Sequence, residues 1–379
     1  MSDDKSATKK ARYIMIGGFL GAGKTTSVAR FAQRLTEQGL RVGLITNDQG
    51  SELVDTAMLR SRGFATEEIP GGCFCCRFNS LVDAANKLTT ATRPDVFIAE
   101  PVGSCTDLVA TVTYPLRRIY GDQFSIAPLS VLVDPVRAQR VFGLENGGKF
   151  SEKVLYIYRK QLEEADIIVI NKCDLLDATR RKVLRNKLAR EFPRAEIFEA
   201  SARHDDGLDA WFDHISVTEQ TARTAMEVDY ELYAEGEALL GWLNCTVQLA
   251  APNDFDAEAV LKEFANNIQK RLLEQAAEIA HLKMTLSPDI GLGDIAVINL
   301  VRNDFVPELS QTLEEPVENG QLIINLRAEA APEVLRDAVQ GAVASVAQKF
   351  SGLTAKLEHL EHFRPGKPQP THRMTAPAR

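Results

Sequence analysis

Apolar and polar positions along the chain follow two different regimes, and these meet in the polar stretch around residues 216 to 230. In the first regime, short runs that are almost wholly apolar and rich in β-branched residues recur. They are Tyr13 to Gly17, Val42 to Thr46, Val96 to Ala99, Leu129 to Val133 and Ile167 to Ile170, with a weaker run at Ala195 to Phe198. Between them the apolar positions take helical spacing, as at Val28, Phe31 and Leu35 within Lys24 to Leu40. Strands without a polar face, alternating with helices, predict an α/β domain whose mainly parallel, doubly wound sheet is buried on both sides.

Past the boundary the pattern changes. Leu240 to Leu249 alternates like a half-exposed strand, and His281 to Leu286, Ile295 to Val301, Leu322 to Leu326 and Leu353 to Phe363 read as further strands. Asp256 to Ala277 and Pro332 to Phe350 read as amphipathic helices. Helices on one face of a mainly antiparallel sheet are the economical arrangement, so a smaller C-terminal α+β domain is expected. The predicted organisation is a mobile polar tail at 1–10, an α/β domain at 11–220, the α+β domain at 221–363 and a Pro-rich, basic, mobile tail at 364–379.

Bulk properties narrow the function classes. A length of 379 residues suits two domains. The net charge of −8 argues against a nucleic-acid partner, which needs clustered Lys and Arg. No apolar run approaches the roughly 18 to 20 residues that cross a bilayer, and the first residues carry no secretory signal. No membrane partner and a cytoplasmic location are therefore expected.

Residues 17 to 26 read GGFLGAGKTT, so Gly18, Gly23, Lys24 and Thr25 satisfy G-x-x-x-x-G-K-[ST] between a predicted strand and a predicted helix. Gly18, Gly21, Ala22 and Gly23 let backbone N–H groups turn toward a phosphate, and the helix start at Thr25 and Thr26 adds partial positive charge. Lys24 neutralises phosphate oxygens, and the Thr25 hydroxyl suits Mg²⁺. This makes the first domain a P-loop NTPase. Asn171-Lys172-Cys173-Asp174 follows the apolar strand IIVI. The Asp174 carboxylate can accept two hydrogen bonds from guanine that adenine does not offer, while the stem of Lys172 can cover the base. Ser201 and Ala202 follow the next strand, where a backbone N–H can meet the guanine carbonyl, so GTP and GDP are favoured over adenine nucleotides. Glu100 ends the strand FIAE, placing it at the ligand-binding edge as a candidate for Mg²⁺ or its water, and Gly103 allows close approach to the terminal phosphate. Asp48 is a candidate in the segment that senses that phosphate, and Asp134 reads as structural.

GGCFCC places Cys73, Cys75 and Cys76 within four residues. Such thiol density is poor core material and suits Zn²⁺, Cu⁺ or Co²⁺, with Zn²⁺ or Co²⁺ expected. Because the three lie so close in sequence, two thiolates with a distant fourth group are expected to share an ion more easily than all three. Cys105, Cys173 and Cys245 read as incidental, and His359 and His362 form a pair only if their segment is helical.

Taken in order, GGFLGAGKTT, GGCFCC, the E-x-x-G strand end and NKCD resemble the CobW family of P-loop GTPases, relatives of the nickel-insertion GTPases for urease and hydrogenase. The resemblance covers roughly residues 12 to 215. It implies a metallochaperone GTPase in which GTP and metal binding are coupled and hydrolysis accompanies transfer to a client metalloenzyme or metallocofactor-assembly protein. Asp48 and the three cysteines would then be metal-associated. Asn47-Asp48-Gln49-Gly50 stands where the family often has N-E-F-G, and the His-rich stretch of many members is absent. No arginine finger or catalytic base is identifiable in the sequence, which implies slow intrinsic turnover and a partner or homodimer that completes the site. The other reading is a GTP-dependent activator of a cobalamin-dependent or other metalloenzyme that carries no metal itself.

Overall fold

The computed structural model describes residues 10–47, 54–290 and 294–376. The first domain contains β1 (Ala11–Gly18), α1 (Lys24–Glu37), β2 (Val42–Asn47), α2 (Val54–Ser61), β3 (Ala65–Ile69), α3 (Phe78–Thr92), β4 (Val96–Glu100), α4 (Tyr114–Tyr120) and β5 (Phe124–Ile126). It continues through β6 (Ser130–Val133), α5 (Pro135–Val141), α6 (Glu152–Glu164), β7 (Ile167–Ile170), α7 (Ala178–Glu191), β8 (Glu196–Glu199) and α8 (Leu208–Val217). The sheet runs β3-β2-β4-β1-β6-β7-β8, with β5 beside β1, and every pairing in it is parallel. Chain order reverses around β1, so the crevice that such sheets offer to ligands opens at the β1 C-terminus.

Strand alternation explains why both faces are apolar. Tyr13 and Met15 of β1 join the core under α3, α6 and α7, while Ile14 and Ile16 join the core under α1 and α8. The weak apolar run at Ala195 to Phe198 is the edge strand β8, which explains its weak signal. β3, with the sequence ATEEI, is the opposite edge and keeps its charges half-exposed, so no apolar run marked it.

After a connecting segment come α9 (Tyr230–Leu239), β9 (Leu240–Phe255), α10 (Ala257–Glu274), β10 (Glu278–Pro288), β11 (Ala296–Leu300), β12 (Glu308–Gln311), β13 (Val317–Glu329), α11 (Pro332–Lys349) and β14 (Thr354–Phe363). The antiparallel sheet runs β12-β11-β10-β13-β9-β14. Leu282, Met284 and Leu286 of β10 pack under α10 and α11. The alternate residues His281, Lys283 and Thr285 take the opposite face, which lies against the first domain: Val54 N–H donates to Asn325 Oδ1 at 3.0 Å, and Lys283 pairs with Asp55. The polar side of this sheet is therefore an interdomain surface. α9 docks on α6, where a Cβ at Gly236 would lie 2.4 Å from the Lys153 carbonyl oxygen.

Residues 364–376 depart from the expected mobile tail. They lie against the first domain, with Met374 N–H donating to Ala110 O, Ala225 N–H to Thr375 O, and the Arg373 guanidinium pairing with the buried Asp107. Charge pairing and main-chain hydrogen bonds hold a segment whose composition alone suggested no partner. The segment bearing His359 and His362 is strand β14, so the helical pairing of these histidines does not form. Among the described residues, no helix is long and apolar enough to cross a membrane.

Candidate nucleotide and metal site

The loop between β1 and α1 occupies the crevice. Gly23 has φ of +90°, and a Cβ there would lie 2.4 Å from Asn171 Nδ2, so both backbone freedom and space require glycine. Asn171 explains that crowding: its Nδ2 donates to Ala22 O at 2.8 Å and its Oδ1 accepts from Ala202 N–H at 3.1 Å. Its role is to join the phosphate loop to the loop after β8. The amides of Ser201 and Ala202 are engaged within the protein, Ser201 N–H by Asp206 O and Ala202 N–H by Asn171. Asp174 keeps its carboxylate exposed, 3.6 Å from His204 Nε2. Lys172, at φ of +53°, sends its ammonium to Gly21 O at 2.7 Å and to Asp134 Oδ2 at 3.0 Å.

Asp134 is structural, as read. It caps α5 by accepting from Val136 and Arg137 N–H, and it pairs with Lys172 and with Arg302 of the second domain. Burial opposes its ionisation, but Lys172, Arg302 and Arg137 outweigh that and hold the carboxyl well below its usual range.

At the phosphate end, Lys24 donates to Gly18 O at 3.0 Å and is buried. The buried Thr25 hydroxyl lies 2.6 Å from Asp55 Oδ1 and 2.9 Å from Glu100 Oε1, with Lys283 Nζ 3.3 Å away. Thr26 follows, half-buried in the first turn of α1. Burial, and then the neighbouring Asp55, push the Glu100 carboxyl up to about 7. Burial acts the same way on Asp55, but the Lys283 pairing and the Thr25 hydrogen bond hold it below its usual value. Among the described residues Glu100 Oε2 is buried without a hydrogen-bond partner. A hydroxyl between two carboxylates, one with an orphaned oxygen, is a donor set that fits Mg²⁺. Asp55 and Lys283 were missed because neither sits in a local motif; the signal for Asp55 was only its place shortly after β2. Asp48 lies outside the described residues.

Gly103 follows Glu100 by three positions, and a Cβ there would come within 2.9 Å of Leu20 N in the phosphate loop, so the close approach expected of it is made to protein backbone. Two residues later, Cys105 reaches the cysteine cluster.

Cys73, Cys75 and Cys76 follow Gly71 and Gly72, both at positive φ, in a tight turn that leads into α3. Asn47 at the end of β2 holds this turn: its Nδ2 donates to Ile69 O at 2.9 Å and Gly72 O at 2.6 Å, and its Oδ1 accepts from Phe74 N–H at 2.9 Å. The three sulfurs converge, with Cys73 2.7 Å from Cys75 and 3.1 Å from Cys76, and all three within 4.8 Å of one another. All three thus face one point despite their closeness in sequence, because the turn rotates each side chain inward. Cys105 is not incidental. Its thiol acts on Cys73, which is held well below the usual thiol range by Cys105 first and by Cys75 and Cys76 next. The Cys73 bond also leads in raising Cys76, to about 11. Cys73 is therefore the first of the set to ionise. Cys173 and Cys245 are buried away from this group.

The C-terminal segment crosses the cluster. Gln369 N–H donates to Cys76 Sγ at 3.2 Å, Thr371 N–H to Cys75 O at 2.8 Å, and Thr371 Oγ1 to Cys76 O at 3.1 Å, while His372 packs edge-on against Phe78.

Comparison with known proteins finds relatives of the first domain. A zinc chaperone CobW from Sinorhizobium sp is 30% identical over 208 residues, 50% of this chain and 58% of the relative. The zinc chaperone YeiR of Escherichia coli (strain K12) is 31% identical over 166 residues, 43% of this chain and 47% of the relative. The matches thus span about half the length of these relatives. The hydrogenase maturation factor HypB from Archaeoglobus fulgidus aligns with a TM-score of 0.38 and 22% identity, covering 54% of this chain and 88% of HypB. The sequence pattern of the CobW/HypB/UreG nucleotide-binding domain matches residues 12–199, the span that holds the phosphate loop, Glu100, the thiol cluster and Asp174. Those residues form a nucleotide-binding domain of the CobW/HypB/UreG family.

Proposed function

We propose that this protein is a GTP-hydrolysing metallochaperone that holds a transition metal, zinc first and cobalt second, on Cys73, Cys75 and Cys76 and passes it to a client metalloenzyme. The observation that carries this reading is the shared segment around β2. Its last residue, Asn47, clamps the thiol turn, and Asp55 at the start of α2 meets Thr25 at the phosphate site. Asn47 and Asp55 stand eight positions apart in the chain, so the thiol turn and the phosphate site each draw a supporting side chain from the same neighbourhood, an arrangement that linkage between nucleotide and metal can use. The names of the zinc-chaperone relatives support zinc as cargo.

In this reading Lys24 and the loop amides bind the phosphates of GTP, and Asp174 with Lys172 selects guanine. Thr25, Glu100 and Asp55 hold Mg²⁺, which supplies charge neutralisation at the phosphates when bound. Gly103, seated against Leu20, carries motion of the phosphate loop toward Cys105 and so toward Cys73. The lowered thiol range of Cys73 favours displacement of its proton by a metal.

The test is a titration of Zn²⁺ and Co²⁺ against the protein bound to GDP and to a non-hydrolysable GTP analogue. Affinities differing by about fivefold or more are expected. Identical affinities in the two states would remove the coupling.

A further inference from the structure

Solvent reaches the thiol cluster unevenly. Cys73 and Cys75 are 5% and 1% exposed, and Cys76 is the one of the three that stays half-buried. The segment that follows β14 crosses on that open side. Gln369 N–H stands 3.2 Å from Cys76 Sγ, and Thr371 holds the carbonyl oxygens of Cys75 and Cys76 through its N–H and its hydroxyl. A main chain at hydrogen-bond distance from the sulfur shuts an incoming ligand out of that approach.

The crossing segment is fastened by polar contacts at its two ends. Arg364 donates to Ala238 O and Lys367 pairs with Glu231, both on α9. At the other end Arg373 pairs with the buried Asp107 at 2.7 Å and donates to Met226 O at 2.9 Å. Between and beyond these fastenings little apolar surface is covered: of residues 364–376, only Pro365 and Pro368 are buried. No strand or helix includes the segment, so it adds nothing to either sheet. A segment with few buried apolar contacts opens at low cost while the core beneath it stays folded.

Resting on the metallochaperone reading above, we propose that residues 364–376 are a gate over the thiol cluster. Seated, they keep an ion on Cys73, Cys75 and Cys76 from exchange with outside ligands; they lift for the ion to enter or to leave.

The chemistry of transfer asks for such a part. An ion held by thiolates moves on by ligand exchange, in which the acceptor bonds to the ion before the last donor bond breaks. A thiolate site closed on every side retains its metal as structure, whereas a site that must react keeps a position accessible. Here the fold closes the side of Cys73 and Cys75 permanently, and a segment held by separable hydrogen bonds and ion pairs closes the side of Cys76.

The test loads the full chain with Zn²⁺ and follows its removal by the chromogenic chelator pyridylazoresorcinol at rising chelator concentration, for wild type, Arg373→Met and Thr371→Pro. Arg373→Met cuts the fastening at Asp107 and keeps an apolar stem. Thr371→Pro removes the N–H and the hydroxyl that hold Cys75 and Cys76 and leaves Asp107 paired, which keeps the test decisive should the first variant fold poorly. In wild type the removal rate should level off at high chelator, where lifting of the gate limits it. In the variants that plateau should rise by about tenfold or more, the scale of the hydrogen bonds lost, with zinc stoichiometry unchanged. A folded variant whose plateau equals that of wild type, or a wild-type rate that stays proportional to chelator throughout, overturns the gate and leaves the metallochaperone reading intact. Wild type that retains no zinc, or that retains it equally well once Cys73, Cys75 and Cys76 are replaced by Ser, overturns the metallochaperone reading itself.

Discussion

Glu164 ends α6 among groups that favour its neutral form. Burial first, and the nearby Asp107 second, raise its carboxyl from 4.5 to about 8, against the hydrogen bonds it accepts from Val109 N–H and Thr106 Oγ1. The folded chain keeps this proton to about pH 8, whereas the unfolded chain releases it near 4.5, so its contribution to stability is full below 4.5 and is lost as pH rises toward 8. Each pH unit within that window costs up to about 1.4 kcal/mol. Glu164→Gln, which has nearly the same shape and no proton to lose, should raise the melting temperature at pH 8 and change it little at pH 5; an equal shift at both would contradict this assignment. Single residues were legible in the sequence where the chemistry is local. Lys24, Thr25, Glu100, Asp174 and the three cysteines each stand in a short motif, and the structure brings Thr25 to Glu100 and the three thiols to one another. Asp55, Lys283, Cys105 and Asn47 act on partners far away in sequence, and no spacing rule reaches across that distance.

Among the elements, the buried strands were the easiest to read. Ile167–Ile170 matches its apolar run residue for residue, because a central parallel strand has no polar face to blur it. β3 was lost for the opposite reason, since an edge strand keeps polar residues, and α9 went unread between the polar stretch at 216–230 and the strand that begins at Leu240. The alternation of β9 was read as half-exposure, although the polar face of its sheet meets the other domain; pattern alone cannot distinguish two polar environments. The C-terminal segment was the largest departure. Its proline content spoke for an extended chain, which it is, but extension also presents N–H groups to an acceptor-rich surface. Removing residues 366–379 should raise the rate at which Cys76 reacts with a disulfide reagent by roughly tenfold, as expected when a protecting contact is lost. An unchanged rate would show that Gln369 and Thr371 do not shield the thiols.

At the scale of the molecule, Arg137 joins the two domains. Its guanidinium is buried, donates to carbonyl oxygens of Leu20, Ile279, Ala280 and Val301, and lies over the rings of Phe19 at 5.4 Å and Phe150 at 5.0 Å. Arg137→Ala leaves several buried carbonyls without a donor and should cost about 2–4 kcal/mol, read as a lower denaturation midpoint and faster proteolysis near residues 218–229. A variant as stable as wild type would mean that other contacts carry the interface. A neighbouring feature has a practical consequence: a side chain at Gly21 would meet the Ala280 carbonyl oxygen at 3.1 Å and Val301 at 3.1 Å, so the second domain forms the roof of the phosphate loop. A fragment cut at residue 220 would be a house without that roof, with bulk water standing where β10 and β11 had been. In the GTPase proposed above, turnover numbers taken from such a fragment would describe a phosphate loop open to water.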